Sequence, residues 1–215
     1  VLSQIEVIQA MINRCVGVEI IDQKENWCLV KELGETTYKE FDNALRRIFL
    51  LLISLSEDIL KSLKGDPNKE VLKSAHLIDT NIDRFTDFCL RVLNKKGYKN
   101  YRKTPTMYSI LFLLEMMGDD FKKISVHLIE AKKITKKTED LFMVQYDQLR
   151  RVYNLYYNFS KEKCLAIYES DTEGHHYNVG LFDSLNTDEK EILHHLKKIG
   201  VYITSLAELR IDLEY

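Results

Sequence analysis

The chain has 215 residues, which is enough for one large domain or two small ones with a substantial buried core. Apolar residues make up 45% and charged residues 30%, a balance that excludes disorder of the whole chain. With 8 Gly and 2 Pro, the composition disfavours an all-β fold, which needs many turns, and favours helices. A net charge of −2 and a pI near 6.4 give no electrostatic basis for broad binding to nucleic acid or anionic membranes.

The cysteines and the apolar runs bear on the cellular compartment. The cysteines form no CxxC or CxxH pair, so a zinc knuckle is disfavoured and a cytoplasmic location is expected; they are Cys15, Cys28, Cys89 and Cys164. The longest apolar run, 48–55, is far shorter than the ~20 residues that span a bilayer, so no membrane insertion is expected. The chain begins with Val rather than Met, as a fragment that lacks its upstream part would.

The first elements in chain order are a helix and a hairpin. Apolar residues at spacings of three and four predict a short amphipathic helix over 1–15. Two runs typical of strands, 18–21 and 27–30, flank the polar segment 22–26 and predict a β-hairpin.

A long helix is predicted next, over 37–64, because apolar residues alternate in steps of four and three. These residues are Phe41, Leu45, Ile48, Leu52, Leu55 and Ile59. The segment 65–68 ends this helix, and Asp66 with Pro67 suits the start of a second long helix, over 67–95.

Periodicity and capping residues predict the remaining elements, which are helices at 104–136, 138–158 and 160–170, a loop at 171–186 and a final helix that starts at Asn186. The residues of the fourth helix expected to face inward are Leu141, Val144, Val152 and Tyr156. Long helices with short polar joints are typical of helical bundles. The junction at 136–138 divides them into two halves.

Two of the long helices carry acidic residues four positions apart among apolar neighbours: Asp79 and Asp83 on the second, Glu115 and Asp119 on the third. A spacing of four puts both carboxylates of a pair on one helix face. Two such helices side by side would gather four carboxylates, a set that favours Mg²⁺, Mn²⁺, Ca²⁺ or iron over zinc or copper. The alternative is that the acids are solvated stripes of ordinary helices, and His76 is either a further ligand or a structural residue.

Several other chemistries are disfavoured. A ferritin-like di-iron site needs Glu-x-x-His on two helices, and only Glu191 with His194 has that spacing at a core position. The scattered glycines form no nucleophile elbow, P-loop or GxGxxG. His194 and His195 are expected on the surface, because adjacent helical residues point about 100° apart. Basic pairs such as Lys122 and Lys123 are interpreted as helix-end and solubility charges.

Several segments, in the right order, resemble the phosphate-uptake regulator (PhoU) family. The run 78–85, Ile-Asp-Thr-Asn-Ile-Asp-Arg-Phe, is similar to that family's second helix. The run 114–119, Leu-Glu-Met-Met-Gly-Asp, resembles its third-helix motif Leu-Glu-x-Ile-Gly-Asp. The segments 16–23, 44–49 and 93–98 resemble stretches of archaeal PhoU-like proteins, in many of which an AbrB-type DNA-binding domain precedes the bundles.

This resemblance implies an all-α fold of two tandem three-helix bundles, preceded by the short helix and β-hairpin. We therefore expect a connector over 1–35, a first bundle over 36–136 and a second bundle over 137–215. The family's members bind metal clusters at E/D-x-x-x-D motifs and act as non-enzymatic adaptors between the phosphate transporter and its signalling partners. Carried over to this chain, the metal carboxylates are Asp79, Asp83, Glu115 and Asp119, with Asp87 and Asp120 as further candidates.

The second half departs from the family pattern. Where the final helix should repeat the acidic motif, Lys197 and Val201 stand at the two acidic positions, and neither side chain ligates a hard cation. In the fifth-helix region only Glu169 and Glu173 have the required spacing, next to the predicted loop. One metal-competent bundle is therefore expected, not two.

These observations favour a non-enzymatic, cytoplasmic regulator of phosphate homeostasis. It would be a homodimer that carries a divalent or trivalent ion (Fe, Mn, Mg or Ca) and docks on a phosphate transporter ATPase or a regulatory protein. The alternative is a transcription regulator that binds DNA through a missing upstream domain or through a helix-turn-helix at 185–193 and 200–209. Its second helix is poorly basic, with Glu208 and Asp212 against Arg210. A metal-dependent hydrolase would also need a pocket and a general base.

Overall fold

The computed structural model describes residues 4–24, 26–33, 37–65, 68–131, 133–174 and 179–215, with their side chains outside 170–180. The elements, in chain order, are α1 Gln4–Asn13, β1 Val18–Lys24, β2 Trp27–Glu32, α2 Tyr38–Lys64, α3 Lys69–Lys73, α4 Ala75–Lys96, α5 Thr104–Glu130, α6 Lys136–Tyr157, α7 Lys161–Gly174, α8 Val179–Asp183 and α9 Thr187–Asp212.

The N-terminal unit is the predicted helix and hairpin. Strands β1 and β2 pair antiparallel from Val18 opposite Glu32 to Lys24 opposite Trp27, and α1 packs against β1. The unit is joined to α4, since the guanidinium of Arg91 donates to the carbonyl of Val16 at 2.6 Å and Lys95 forms an ion pair with Glu32. The prediction of a short helix followed by a hairpin is confirmed.

Helix α2 forms where its apolar stripe predicts it. Thr37 is the N-cap: its hydroxyl accepts from the backbone N–H of Glu40, whose carboxylate accepts in return from the backbone N–H of Thr37. This reciprocal capping satisfies two backbone donors that the first turn of a helix leaves free. All six residues of the predicted stripe are buried.

The prediction of one continuous helix over 67–95 is wrong in one respect, because the helix is interrupted between α3 and α4. Asp66 and Pro67 lie outside the described residues, and it is the Asn68 side chain that accepts from the first backbone N–H groups of α3. The Ser74 hydroxyl donates to the carbonyl of Val71 at 2.7 Å, so a side chain competes with the helical ladder at the break.

The prediction of a third helix reaching residue 136 is also wrong, because α5 ends at Glu130 and α6 begins at Lys136. The flanking residues Ala131 and Thr135 are both extended, with ψ of 132° and 160°. Within α6 the expected inward position of Val144 is wrong as well, since that side chain is exposed, whereas Val152 is buried.

The C-terminal part differs from the sequence prediction in two places. The expected loop at 171–186 contains the end of α7 and the short helix α8, with residues 175–178 outside the described part. Helix α9 runs without a break from Thr187 to Asp212, so the helix-turn-helix expected at 185–193 and 200–209 is wrong. Asn186 caps α9 as predicted, with Glu189 as its reciprocal partner.

The helices pack as two groups of three. Helices α2, α4 and α5 contact one another, and so do α6, α7 and α9. The groups meet through α5 against α9, which is the most extensive helix contact in the described chain, and through α2 against α6. One hydrophobic core runs through both groups. The predicted fold class is confirmed, and the domain limits 1–35, 36–136 and 137–215 stay a prediction.

Candidate functional site

The candidate site lies where α4 and α5 pack side by side in the first group. Asp79 and Asp83 belong to α4, and Glu115 and Asp119 to α5. Gly118 lets the two helices approach, because a Cβ atom there would lie 3.2 Å from Cδ1 of Ile82 and 3.4 Å from Oδ1 of Asp79.

Lys122 connects the carboxylates of the two helices. Its Nζ donates to Oδ2 of Asp79 and to Oδ1 of Asp119, each at 2.6 Å, so these two oxygens lie no further apart than twice that distance. The Asp79 side chain is 5% exposed and that of Lys122 is 31% exposed. Burial alone lowers the pKa of Lys122, but the hydrogen bonds that it donates to Asp119 and Asp79 raise this pKa to about 12.

Asp83 and Glu115 complete the cluster. Burial, followed by the charge of Asp79, raises the pKa of Asp83 above its ordinary value. Burial, followed by the charge of Asp83, raises the pKa of Glu115. Arg14 of the N-terminal unit lies 3.7 Å from Asp83, a loose ion pair. The structure therefore places the four predicted carboxylates within electrostatic range of one another, and negative charge exceeds positive charge among them.

The donor set suits a hard cation but is arranged around an ammonium group. Oδ1 of Asp79 is buried against Gly118 and has no hydrogen-bond partner among the described residues. In the described part of the chain, however, no three histidine, cysteine or carboxylate side chains are spaced to hold one metal ion. The carboxylate oxygens suit a hard cation by their chemistry, but their spacing around the Lys122 ammonium does not fit one.

Of the three additional candidates for ligands, Asp87 adds to the negative charges that raise the pKa of Glu115, and the other two have partners elsewhere. His76 is exposed, and its Nδ1 lies 2.6 Å from the carbonyl of Lys73. Asp87 is exposed on α4. Asp120 faces α9 instead: its Oδ1 accepts from His195 Nδ1 at 2.7 Å and from Lys198 Nζ at 2.8 Å.

The expectation that His195 lies on the surface is wrong. It is 8% exposed, stacks on the ring of His127 and faces Asp120, which is fully buried. Burial alone raises the pKa of Asp120, but its hydrogen bonds with His195 and Lys198 outweigh this and hold it below the ordinary value. This buried ionic group joins α5 to α9.

The second group of helices has a different polar set. Val201 is exposed, and Gly200 faces the neutral amide of Gln145, with 3.4 Å from its Cβ position to Gln145 Nε2. Gly118 by contrast faces the carboxylate of Asp79. The side chain of Glu173 lies outside the described part, so one metal-competent bundle stays a prediction.

Sequence reasoning missed Lys122. The pair Lys122 and Lys123 was interpreted as solubility charge, although Lys122 follows Asp119 by three residues and Glu115 by seven. Those spacings put Lys122 on the acidic face of its helix, and Lys123 on another. This spacing is a signal that could have identified the residue.

Comparison with known proteins gives a likeness in fold. No protein-family model and no curated protein matches the chain. Its fold is similar to the crystal structure of the phosphate transport system regulatory protein PhoU from Streptococcus pneumoniae, with a TM-score of 0.62 and 17% identity. The match covers 82% of this chain and 94% of that chain. At this identity the likeness shows a PhoU-like fold, as predicted; the archaeal and AbrB features stay predictions.

None of the helices in the described ranges combines the length and apolar character needed to cross a membrane.

Proposed function

We propose that this protein is a non-enzymatic regulator of phosphate uptake and homeostasis that acts as a metal-binding adaptor. The observation that carries the proposal is the fold, which resembles that of a phosphate transport system regulatory protein over 82% of this chain. Its partner is the ATPase of a phosphate transporter or a regulatory protein, and it acts as a homodimer in the cytoplasm. The free state of Cys15, Cys28, Cys89 and Cys164 is consistent with that compartment.

The metal part of the proposal rests on the carboxylate cluster between α4 and α5. Asp79, Asp83, Glu115 and Asp119 would hold an ion of iron, manganese, magnesium or calcium, since carboxylate oxygens suit these metals. The ion would neutralise charge that Lys122 and Arg14 leave uncompensated. It would thereby hold α4 and α5 in register, and a fixed helix surface is what an adaptor presents to its partner.

A Mn²⁺ titration of the purified, metal-free chain tests the site. We expect calorimetric binding that the double variant Asp79→Asn/Asp119→Asn weakens at least about tenfold, since it removes two charged ligands. Asp147→Asn, at an exposed position of α6, is the matched control and should bind like the unaltered chain. Equal affinity of the double variant and the control would show that the cluster is not the site.

Phosphate uptake tests the regulatory role. Deletion of the gene should change the rate of phosphate uptake in phosphate-rich medium, and the unaltered gene should restore it. Normal uptake in the deletion strain would contradict the regulatory role.

Binding to the purified transporter ATPase, measured by surface plasmon resonance, tests the partner. Light scattering during gel filtration should give twice the monomer mass.

DNA binding is assigned to an upstream domain in the alternative function. An electrophoretic mobility assay with this chain should show no specific shift, because α9 is continuous and offers no helix-turn-helix. A sequence-specific shift by this chain alone would favour the transcription regulator.

A further inference from the structure

Strand β2 has a free edge. In the described part of the chain the sheet consists of β1 and β2, and β1 is the strand against which α1 packs. The pairing of β1 is irregular, with a shift in register between Ile20 and Asp22, whereas β2 is regular from Trp27 to Glu32. Because a bulge protects an edge from further pairing, β2 is the edge to which another strand can add.

The hydrogen-bonding groups on this free edge belong to every second residue of β2. The backbone N–H of Leu33 donates to the carbonyl of Gly17 at 2.8 Å, so it points toward β1. Since the N–H and C=O groups of successive residues alternate between the two sides of a strand, the odd-numbered residues of β2 face β1. The residues whose groups face the free edge are Cys28, Val30 and Glu32. These groups can form a ladder with another strand.

The side chains along this edge are apolar for a strand that faces solvent. The large apolar residues are 41–55% exposed; they are Trp27, Leu29, Val30 and Leu33. An exposed apolar edge of this kind promotes aggregation unless another strand covers it. The carboxylate of Glu32 does little to prevent this, because it forms an ion pair with Lys95 of α4. The edge is therefore suited to a partner strand.

A second copy of the same strand fits this edge. The ladder of β2 reaches Leu33, so the centre of the stretch that starts at Trp27 is Val30. Antiparallel pairing about a two-fold axis at Val30 brings the groups on the two free edges opposite one another. The other pairs across the new ladder are Cys28 with Glu32, Leu29 with Lys31, and Trp27 with Leu33. No like charges lie opposite each other, and such two-fold contacts are the commonest in soluble oligomers.

We propose that the protein dimerises by antiparallel pairing of two β2 strands about Val30, which joins two hairpins into one four-stranded sheet. This inference rests on the homodimer of the proposed function and names the surface that forms it. Arg91 and Lys95 connect each hairpin to its own α4, so the new sheet links the first helical groups of the two copies. Since the contact uses the N-terminal unit, the helical groups are left to bind other proteins.

A lysine in place of Val30 tests the pairing, because it puts two ammonium groups opposite each other on the two-fold axis. Val30→Lys should raise the dissociation constant of the dimer at least about tenfold in sedimentation equilibrium. Ile21→Lys adds the same charge at an exposed position of β1 and should leave that constant unchanged. Circular dichroism checks that both variants are folded.

A second measurement uses the unaltered chain, so that it does not depend on the folding of a variant. Hydrogen exchange of single backbone amides is followed by nuclear magnetic resonance in concentrated and diluted samples. The amides of Cys28 and Val30 should exchange at least about tenfold more slowly in the dimer, because they gain partners there. The amide of Lys31, which faces β1 in both states, should exchange equally in the two samples.

The outcomes separate this inference from the proposed function. An unaltered chain that stays monomeric would contradict the homodimer and the strand pairing together. If the chain is a dimer, but Val30→Lys dissociates no more readily or the Val30 amide gains no protection, the interface lies elsewhere. The homodimer would then stand, and this inference would be wrong. A dimer that Val30→Lys weakens and Ile21→Lys does not, with the Val30 amide protected, supports the pairing.

Discussion

The carboxylates between α4 and α5 differ in how well their charges are compensated. Asp79 and Asp119 share Lys122, whereas the ion pair of Asp83 among the described residues is the loose one with Arg14 at 3.7 Å. Burial and the neighbouring negative charges raise the pKa of Glu115, which means that its ionised form is less stable in the folded chain than in the unfolded one. Repulsion of this kind among carboxylates is what a bound cation would relieve.

Glu115→Gln should therefore stabilise the metal-free protein while it weakens the site. A raised pKa in the folded state means that Glu115 costs stability at neutral pH, so its neutral replacement should gain roughly 0.5–1 kcal/mol in the free energy of unfolding. Urea unfolding at pH 7 measures the gain, and calorimetry with Mn²⁺ measures the loss of affinity. Glu208→Gln, at an exposed position of α9, should change neither quantity. A less stable Glu115→Gln protein would contradict the repulsion.

The spacing in the sequence could predict the four acidic residues, but not which basic side chain neutralises their charges. The steps from Asp79 to Asp83 and from Glu115 to Asp119 place each pair on one helix face whatever the tertiary structure. Which lysine reaches them depends on the distance between the helices, and Gly118 sets that distance through its contact with Ile82. The local spacing places Lys122 on the acidic face of α5, but it does not show that Lys122 reaches Asp79 on α4.

At the scale of the secondary-structure elements, the carboxylate of Glu189 connects the N-terminus of α6 to that of α9 through hydrogen bonds. Oε1 of Glu189 accepts from the backbone N–H of Thr135 at 2.7 Å, from its hydroxyl at 2.6 Å and from the hydroxyl of Thr138 at 2.9 Å. Oε2 accepts from the backbone N–H of Asn186 at 3.1 Å. Glu189 is buried, and a negative charge at two helix N-termini is favourable.

Glu189→Gln should destabilise the protein by about 2–4 kcal/mol, since a buried acceptor of several hydrogen bonds is replaced by a group that also donates. Burial alone raises the pKa of Glu189, but the hydrogen bonds from Thr135, Asn186 and Thr138 hold it below the ordinary value. Its contribution is therefore present above the unfolded-state pKa and is lost as the pH falls through the folded-state pKa.

Unfolding in urea at pH 7 and in acid measures this difference. The difference in the free energy of unfolding between the unaltered chain and Glu189→Gln should become smaller as the pH falls. Glu191→Gln, exposed on the same helix, should have the same free energy of unfolding as the unaltered chain. A difference in the free energy of unfolding that does not change with pH would mean that Glu189 acts through packing alone.

The elements that sequence patterns predicted best are those with a long apolar stripe and a capping box, as at Thr37 and Asn186. The break at Ser74 was missed because a local side-chain hydrogen bond, and not the apolar spacing, marks it. The limits of α5 and α6 were missed because a distant residue contributes to them. The start of α6, for example, is stabilised by Glu189, which lies 54 residues from Thr135 in the chain. The spacing of apolar residues cannot reveal a capping residue that lies so far away in the sequence.

At the scale of the whole molecule, the two groups of helices meet at a buried ionic cluster. Asp120 of α5 is fully buried and accepts from His195 and Lys198 of α9, which are 75 and 78 residues away in the sequence. Sequence reasoning placed Asp120 beside the metal ligands and His195 on the surface, because contacts between the halves leave no periodic signal. The same contact joins two halves that the resemblance treats as tandem repeats.

Asp120→Asn should destabilise the whole molecule by about 3–5 kcal/mol, because it leaves Lys198 and His195 without their buried counter-charge. Asp188→Asn, at a half-buried position in the first turn of α9, is the control and should cost less than about 1 kcal/mol. Equilibrium unfolding followed by circular dichroism gives both values. Equal stability of Asp120→Asn and the unaltered chain would show that the α5–α9 contact does not depend on this charge.

The central claim is that the cluster between α4 and α5 binds a metal ion, and diffraction from Mn²⁺-soaked crystals tests it most directly. We predict an anomalous peak at coordination distance, about 2.0–2.6 Å, from oxygens of Asp79 and Asp119, with the Lys122 side chain turned away. A map at saturating Mn²⁺ with no peak there, and with Lys122 still bridging the two carboxylates, would contradict the claim.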